Sequence, residues 1–473
     1  MISWRLILFS VYQLVVILTI IHVVMDNRQP AKTMAWALVI WFVPVVGIVL
    51  YLFFGVNTRK EKFISQRSLD QLSKRSMLEF VEQKDLRLPE DYRPVIDLFV
   101  NENFALPFKD NAYQVYTEGY TFFTALLSAI AKAKDHIHID MYIFDDDALG
   151  RLVSDALIDK AREGVLVRVI YDDVGCWNVS HDFFERMRNE GIEVVPFLPV
   201  RFPSFTSKVN YRNHRKLIII DGQTGFVGGM NIALRYVKGT GTQAWRDTMV
   251  QVTGSGVYGL QRAFLVDWYF CDRTLISDRR YYPTSVGVSG NSLVQTVTSG
   301  PVTPYPEIMQ GYVRLILAAK RYVYLETPYF LPTEPVLFAL KTAAAAGVDV
   351  RILVPYRSDA KFVEWASRSY LREAVEAGIR VSLYQAGFLH SKLLVSDDAI
   401  CTCGSTNVDF RCFENNFESN MFFYGEEIAV RLRDVYLSDE QQSTLLSDLP
   451  SRMNPHFLKG LWESMVRMMS PLM

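Results

Sequence analysis

Histidine and lysine two residues apart, followed five residues later by aspartate, occur twice in this chain: His214, Lys216 and Asp221, then His390, Lys392 and Asp397. An imidazole can attack or shuttle a proton, and an ammonium can hold an anionic oxygen. The repeat therefore points to one phosphate-transfer centre assembled from two halves. If Lys and Asp each fill roughly one position in twenty, two accidental matches arise about once in several thousand chains. Accident is a poor explanation. Gly228, Gly229 and Asn231 follow the first set, and Gly404, Ser405 and Asn407 follow the second at the same offset, so the repeated unit is longer than three residues.

Two facing histidines can divide a two-step displacement through a phosphohistidine. One attacks phosphorus; the other protonates the leaving alkoxide and later deprotonates the acceptor hydroxyl. Their pKa values must be separated, which calls for carboxylates behind the rings. Asp247, in Trp245-Arg246-Asp247-Thr248, and Glu418, in Asn416-Phe417-Glu418-Ser419, stand at similar offsets and are the candidates for orienting the histidines. Lys216, Lys392, Asn231 and Asn407 are the candidates for binding the non-bridging oxygens, and the Gly228-Gly229 and Gly404-Ser405 turns offer backbone N–H groups to the same anion. Asp221 and Asp397 lie an odd number of residues beyond their lysines, facing the other side of an unbroken strand, so holding the turn competes with catalysis as their role. His22, His136, His138, His181 and His456 have no companion motif and read as core or surface residues; none has metal-ligand spacing, and the chemistry calls for no cofactor.

Each His-x-Lys opens an apolar run, Leu217 to Ile220 or Leu393 to Val395, that reads as a core strand. Residues two apart then share a face, so imidazole and ammonium reach the same surface. Around them the spacing predicts helix 120–134, strand 136–144, helix 149–163 and strand 165–171, then the same order at 308–320, 322–330, 335–346 and 348–355. Local repeats agree: Gly164-Val165-Leu166-Val167-Arg168 matches Gly347-Val348-Asp349-Val350-Arg351. The offset, roughly 180 residues, is far beyond a solenoid period and indicates domain duplication.

About half of the 473 residues are hydrophobic, enough for a large core, and a net charge of −1 gives no global footprint for nucleic acid. Five cysteines without a C-x-x-C pair argue against a disulfide framework or zinc site and fit a reducing compartment. Leu6 to Met25 and Met34 to Phe54 carry no charge and read as a transmembrane hairpin. Arg59, Lys60, Lys62 and Arg67 follow the second span and outnumber Arg28 and Lys32 in the turn, which puts the large part in the cytoplasm. Residues 60–107 read as a helical linker. Phe457, Leu461, Trp462, Met465, Val466 and Met469 have helical apolar spacing that suits packing on the domain or dipping into a lipid interface.

Together these residues resemble the phospholipase D superfamily and, within it, the bacterial cardiolipin synthases. The resemblance rests on Asn213-His214-Arg215-Lys216, Asp221-Gly222, Gly228-Gly229-Met230-Asn231, Trp245-Arg246-Asp247, Thr327-Pro328-Tyr329-Phe330, the hairpin with Ala35-Trp36, and the Ser470-Pro471-Leu472 ending. It implies an α/β fold: a transmembrane hairpin (1–56), a juxtamembrane linker (57–108), and two phospholipase D-like domains (109–290 and 291–473) related by a pseudo-twofold axis. It implies a membrane-bound transferase of the bacterial inner membrane that joins two phosphatidylglycerols into cardiolipin and releases glycerol, with His214 as nucleophile and His390 as acid/base. A hydrolase of the same superfamily, or a synthase using phosphatidylethanolamine, would share these residues. Oligomeric state is not encoded in any motif.

Overall fold

The computed structural model describes residues 4–26, 30–55, 88, 90–200, 210–241, 243–283, 290–301, 303 and 305–472. The basic cluster at 59–75 and Arg28 lie outside them.

Apolar β-branched runs flanked by amphipathic helices make buried strands covered on both faces. Among the described residues they form a fifteen-stranded sheet. In the first half, His136–Met141, Leu166–Asp172 and Glu193–Phe197 run parallel. Lys216–Ile220, Thr224–Gly228, Met249–Thr253 and Pro107–Tyr116 continue antiparallel toward the middle. The second half repeats this with parallel Tyr322–Glu326, Asp349–Pro355 and Arg380–Tyr384, then antiparallel Leu393–Ser396, Ile400–Gly404, Glu418–Tyr424 and Ser292–Ser299. Pro107–Tyr116 pairs with Ser292–Ser299, so one sheet runs through both halves. Ser443–Leu445 adds an edge strand to the second half.

The expected helices and strands appear with their ends shifted by a few residues: Gly119–Lys132, Ala148–Arg162, Glu307–Ala318 and Glu334–Ala345 are helices. One core layer belongs to each half, and a third is shared beneath helices Val257–Asp272 and Glu426–Glu440.

Two expectations change. Within the stretch read as a linker, helix Arg93–Asn103 is amphipathic and buries Val95, Ile96 and Phe99; the Phe99 ring packs at a tilt 4.5 Å from Phe422, so this helix belongs to the second half's core. At the N-terminus, Trp4–Met25 is the one described helix long and apolar enough to cross a membrane. The second expected span is broken: Pro30–Phe42 stops at Val43, Pro44–Leu50 resumes behind a proline at its first turn, and Tyr51–Gly55 is a π-turn. Lys32, in the first turn of Pro30–Phe42, pairs with Glu414 of the second half.

Candidate active site

Each histidine is fixed at its backbone by the opposite half. The His214 N–H donates to the Phe417 carbonyl (2.9 Å), and the His390 N–H to the Arg246 carbonyl (2.7 Å). Short parallel pairing of Ala244–Arg246 with Gly387–Leu389, and a bridge from Asn213 to Phe417, hold this register. The residue after each accepting carbonyl is a carboxylate. Glu418 therefore lies 2.9 and 3.1 Å from His214 Nδ1, and Asp247 lies 2.6 Å from His390 Nδ1. The orienting carboxylates are crossed, each half supplying the other's. A carboxylate at Nδ1 takes that N–H and leaves the lone pair of the neutral ring on Nε2, the tautomer a nucleophile or base requires.

Both rings are almost wholly buried, and both carboxylates fully so. Burial pushes His214 down to about 4 and His390 down to about 3; the neighbouring lysines add to this, and Glu418 or Asp247 opposes it. Lys216 is driven by burial to about 7, and Lys392 moves in the same direction. Burial alone would raise the two carboxyls, but the adjoining histidines and lysines hold Glu418 and Asp247 below their ordinary values. The centre thus favours neutral imidazoles. A phosphodiester anion entering it would favour charge on the same bases, so the substrate itself helps to create the acid.

Lys216 donates to the His214 carbonyl (2.5 Å) and lies 5.1 Å from the Tyr142 ring centre. Lys392 lies 2.8 Å from His390 Nδ1 and 3.8 Å from Asp247. Asn231 is tied into the fold: its oxygen accepts from the Ile143 N–H (3.1 Å), and its amide donates to the Tyr236 hydroxyl (2.8 Å), which is 3.5 Å from His390 Nδ1. Asn407 is buried, with a side-chain hydrogen bond to Asp409.

Asp221 and Asp397, offered as catalytic candidates, stand apart from this centre. Both adopt left-handed backbone (φ 53° and 56°) at the far end of their strands. The Asp221 carboxylate accepts the N–H groups of Lys134, Asp135 and His136 (2.8–3.0 Å), and Asp397 those of Lys320, Arg321 and Tyr322 (2.6–2.8 Å). They latch a helix-to-strand junction, as the odd spacing from lysine allows. The glycine turns also differ from expectation, because the Gly229 N–H already donates to Thr248 (2.9 Å) and the Ser405 N–H to Ser419 (3.0 Å). Gly229 is needed for closeness instead: an added Cβ would sit 2.1 Å from Asp247. At the matching position the Ser405 hydroxyl donates to Glu418, so the glycine-to-serine difference distinguishes the half-sites.

Two arginines to which the motif spacing assigns no role support this centre. Arg215 donates to the Glu418 carbonyl (3.1 Å) and pairs with Asp267. Arg246 donates to the Asp247 carbonyl (2.7 Å) and pairs with Asp439 (2.6 Å). Each therefore steadies the backbone of an orienting carboxylate. The signal was present, since Arg215 interrupts His-x-Lys and Arg246 precedes Asp247, but spacing alone gives a buried arginine no partner. A second acid adjoins each pair. Burial and Asp267 hold Asp140 well above its ordinary range, and burial pushes Glu326, beside Asp439 and Arg246, up to about 8.

Among the described residues, His214, Cys412 and Glu418 have donor atoms within 4.8 Å of one another. Glu418 is already shared by His214 and Ser405, and burial raises the Cys412 thiol well above its usual range. That donor set suits a hydrogen-bond relay better than a cation.

A duplicated sheet that brings one histidine and lysine from each half together defines a phospholipase D-type enzyme. The family profile described as "Cardiolipin synthase, PLD-like domain" matches residues 126–257 and 312–439, and "Phospholipase_D-nuclease N-terminal" matches 14–55. The chain is 38% identical to the major cardiolipin synthase of Bacillus subtilis (strain 168), over 97% of each chain. It is also 38% identical to a cardiolipin synthase of Alkalihalophilus pseudofirmus, over 100% of this chain and 95% of that one. The phosphatidylserine synthase of Haemophilus influenzae Rd KW20 shares the fold at TM-score 0.62 and 15% identity, covering 80% of this chain and 100% of that one. The chain belongs to the cardiolipin synthase family, the phosphatidyltransferases of this kind within the phospholipase D superfamily.

Proposed function

We propose that this chain transfers a phosphatidyl group from one phosphatidylglycerol to another, forming cardiolipin and glycerol. The observation that carries this reading is the crossed pair of carboxylates, which places a carboxylate at Nδ1 of each of two histidines in one buried centre. In the first step His214 Nε2 bonds to phosphorus, the bond from phosphorus to the glycerol oxygen breaks, and His390 gives its proton to that oxygen. In the second step His390 takes the proton from a glycerol hydroxyl of the acceptor lipid, the new P–O bond forms, and the P–N bond breaks. Lys216 and Lys392 hold the non-bridging oxygens as their charge grows, and Asn231 and Asn407 are the further candidates for the same oxygens. Incubating full-length enzyme with isotopically labelled phosphatidylglycerol in vesicles tests the reading: cardiolipin and glycerol in equal amounts support it, and phosphatidic acid alone refutes it. With phosphatidylethanolamine also present, the masses of the products identify the donor and acceptor.

Helix Trp4–Met25 anchors the enzyme in the bacterial inner membrane, and in one arrangement the kinked stretch Pro30–Gly55 makes the return pass. The basic residues after that pass favour catalytic halves on the cytoplasmic side. The Lys32 pair with Glu414 favours a second arrangement in which the turn stays on the catalytic side. Labelling Lys32→Cys with a membrane-impermeant reagent, in intact cells and in inverted vesicles, separates the two.

A further inference from the structure

Helix Phe457–Met468 is mounted inside out. Surface helices normally bury an apolar stripe and show a polar one. Here Glu463 and Arg467, spaced four apart, lie on the side toward the protein, where Val466 is the one apolar residue of the helix that is buried. Glu463 is 0% exposed and pairs with Arg372 (2.6 Å) and Arg368 (3.4 Å), while Arg467 pairs with Glu373 and lies 3.9 Å from the Tyr370 ring centre. The outward side carries Phe457, Leu458, Leu461, Trp462, Met465 and Met468, with Leu458 76% and Met468 67% exposed. Edge-to-face rings extend this surface: Trp462 meets Trp365 at 5.7 Å, and Trp365 meets Phe362, itself 60% exposed.

Ion pairs thus hold an apolar face away from the core, an arrangement that water penalises and lipid rewards. Two observations identify the occupant. The Ser470–Leu472 turn that ends this helix packs against Pro30–Phe42, so the face begins where the apolar N-terminal helices meet the catalytic part. Exposed Arg357 and Lys361 immediately precede the aromatic extension and, with exposed Asp359 between them, leave one net positive charge that suits anionic headgroups. We propose that the outward face of Phe457–Met468, with Phe362 and Trp365, lies in the interfacial layer of an anionic bilayer and sets the orientation of the catalytic halves on the membrane. The proposal rests on the membrane-anchoring reading above, not on the transfer reaction.

The test uses the full-length chain in phosphatidylglycerol-containing vesicles, with an environment-sensitive fluorophore on Met465→Cys or Met468→Cys and a nitroxide quencher carried by the lipid. Leu14→Cys, in the first helix, and Leu152→Cys, on an exposed helix of the first half, are controls, and the labelled parent chain gives the background from native cysteines. Quenching at 465 and 468 severalfold above that at 152 is expected. Quenching at 14 but not at 465 and 468 overturns the proposal and leaves anchoring intact. Quenching at 465 and 468 but not at 14 supports the docked face and overturns anchoring by the first helix; quenching at none of the three overturns both. A signal at 465 that follows the protein-to-lipid ratio and ignores the quencher means that a second copy covers the face, and also overturns the proposal.

Discussion

Glu418 and Asp247 do equivalent work on different rings, so removing their charge should separate the two histidines' roles. Glu418→Gln and Asp247→Asn should each lower kcat by about 10²–10⁴-fold by disturbing tautomer and orientation. With a nitrophenyl phosphodiester, whose leaving group needs no proton, Asp247→Asn should keep a burst of nitrophenol while Glu418→Gln loses it. Equal bursts would remove His214 from the nucleophile's role. The buried rings also make stability depend on pH. His214 titrates near 6.5 when unfolded and at about 4 when folded, so the unfolded chain binds more protons between those values. Its neutral form contributes stability that is fully present above pH 6.5 and lost as pH falls through about 4. The loss, ~3 kcal/mol at about 1.4 kcal/mol per pKa unit, should appear as the difference between denaturation curves of the parent and His214→Gln in detergent. An unchanged difference from pH 7 to pH 4 counts against a depressed folded value. Ser405→Gly should affect only the half-site containing Glu418, because the matching Gly229 faces Asp247 without a hydroxyl.

The helices and strands were largely legible because burial imposes period 2 or 3.6 on the residues themselves, and the same periodicity set Asp221 and Asp397 on the face away from lysine. Partners were not legible. Glu418 lies 204 residues from His214, and a repeat announces two equivalent carboxylates without saying which ring each one serves. The kink at Val43 was signalled by Pro44, whereas the inverted mounting of Phe457–Met468 depends on arginines roughly ninety residues earlier in sequence. Two outcomes belong to this scale. Asp221→Ala leaves three N–H groups without their acceptor, so it should lower stability by ~1–3 kcal/mol while the kcat of the folded enzyme stays within about twofold. A thermal melt beside active-site titration checks this. In the arginine cradle, burial lifts Glu326 to about 8, so it keeps its proton at neutral pH and ionises above that value. Ionisation would set two carboxylates against one arginine, so kcat should fall above about pH 8, and Glu326→Gln should retain activity while removing that alkaline limb. Loss of activity at every pH in Glu326→Gln would contradict the protonated form.

Across the whole molecule, the continuous sheet and the crossed carboxylates make the halves interdependent. A chain truncated after the first half keeps His214 and Lys216 but lacks Glu418 and the Phe417 carbonyl that fix them. It should give no phosphohistidine even with a nitrophenyl donor, whereas full-length His390→Ala should still give one; phosphate incorporation measured on the two proteins decides this. The same crossing orders events in time. His214 leaves the ribosome well before the residue that prepares it has been translated, so a nascent chain already touching the membrane holds no competent nucleophile. The surrounding phospholipids are thereby spared attack until the second half has been made, folded and docked.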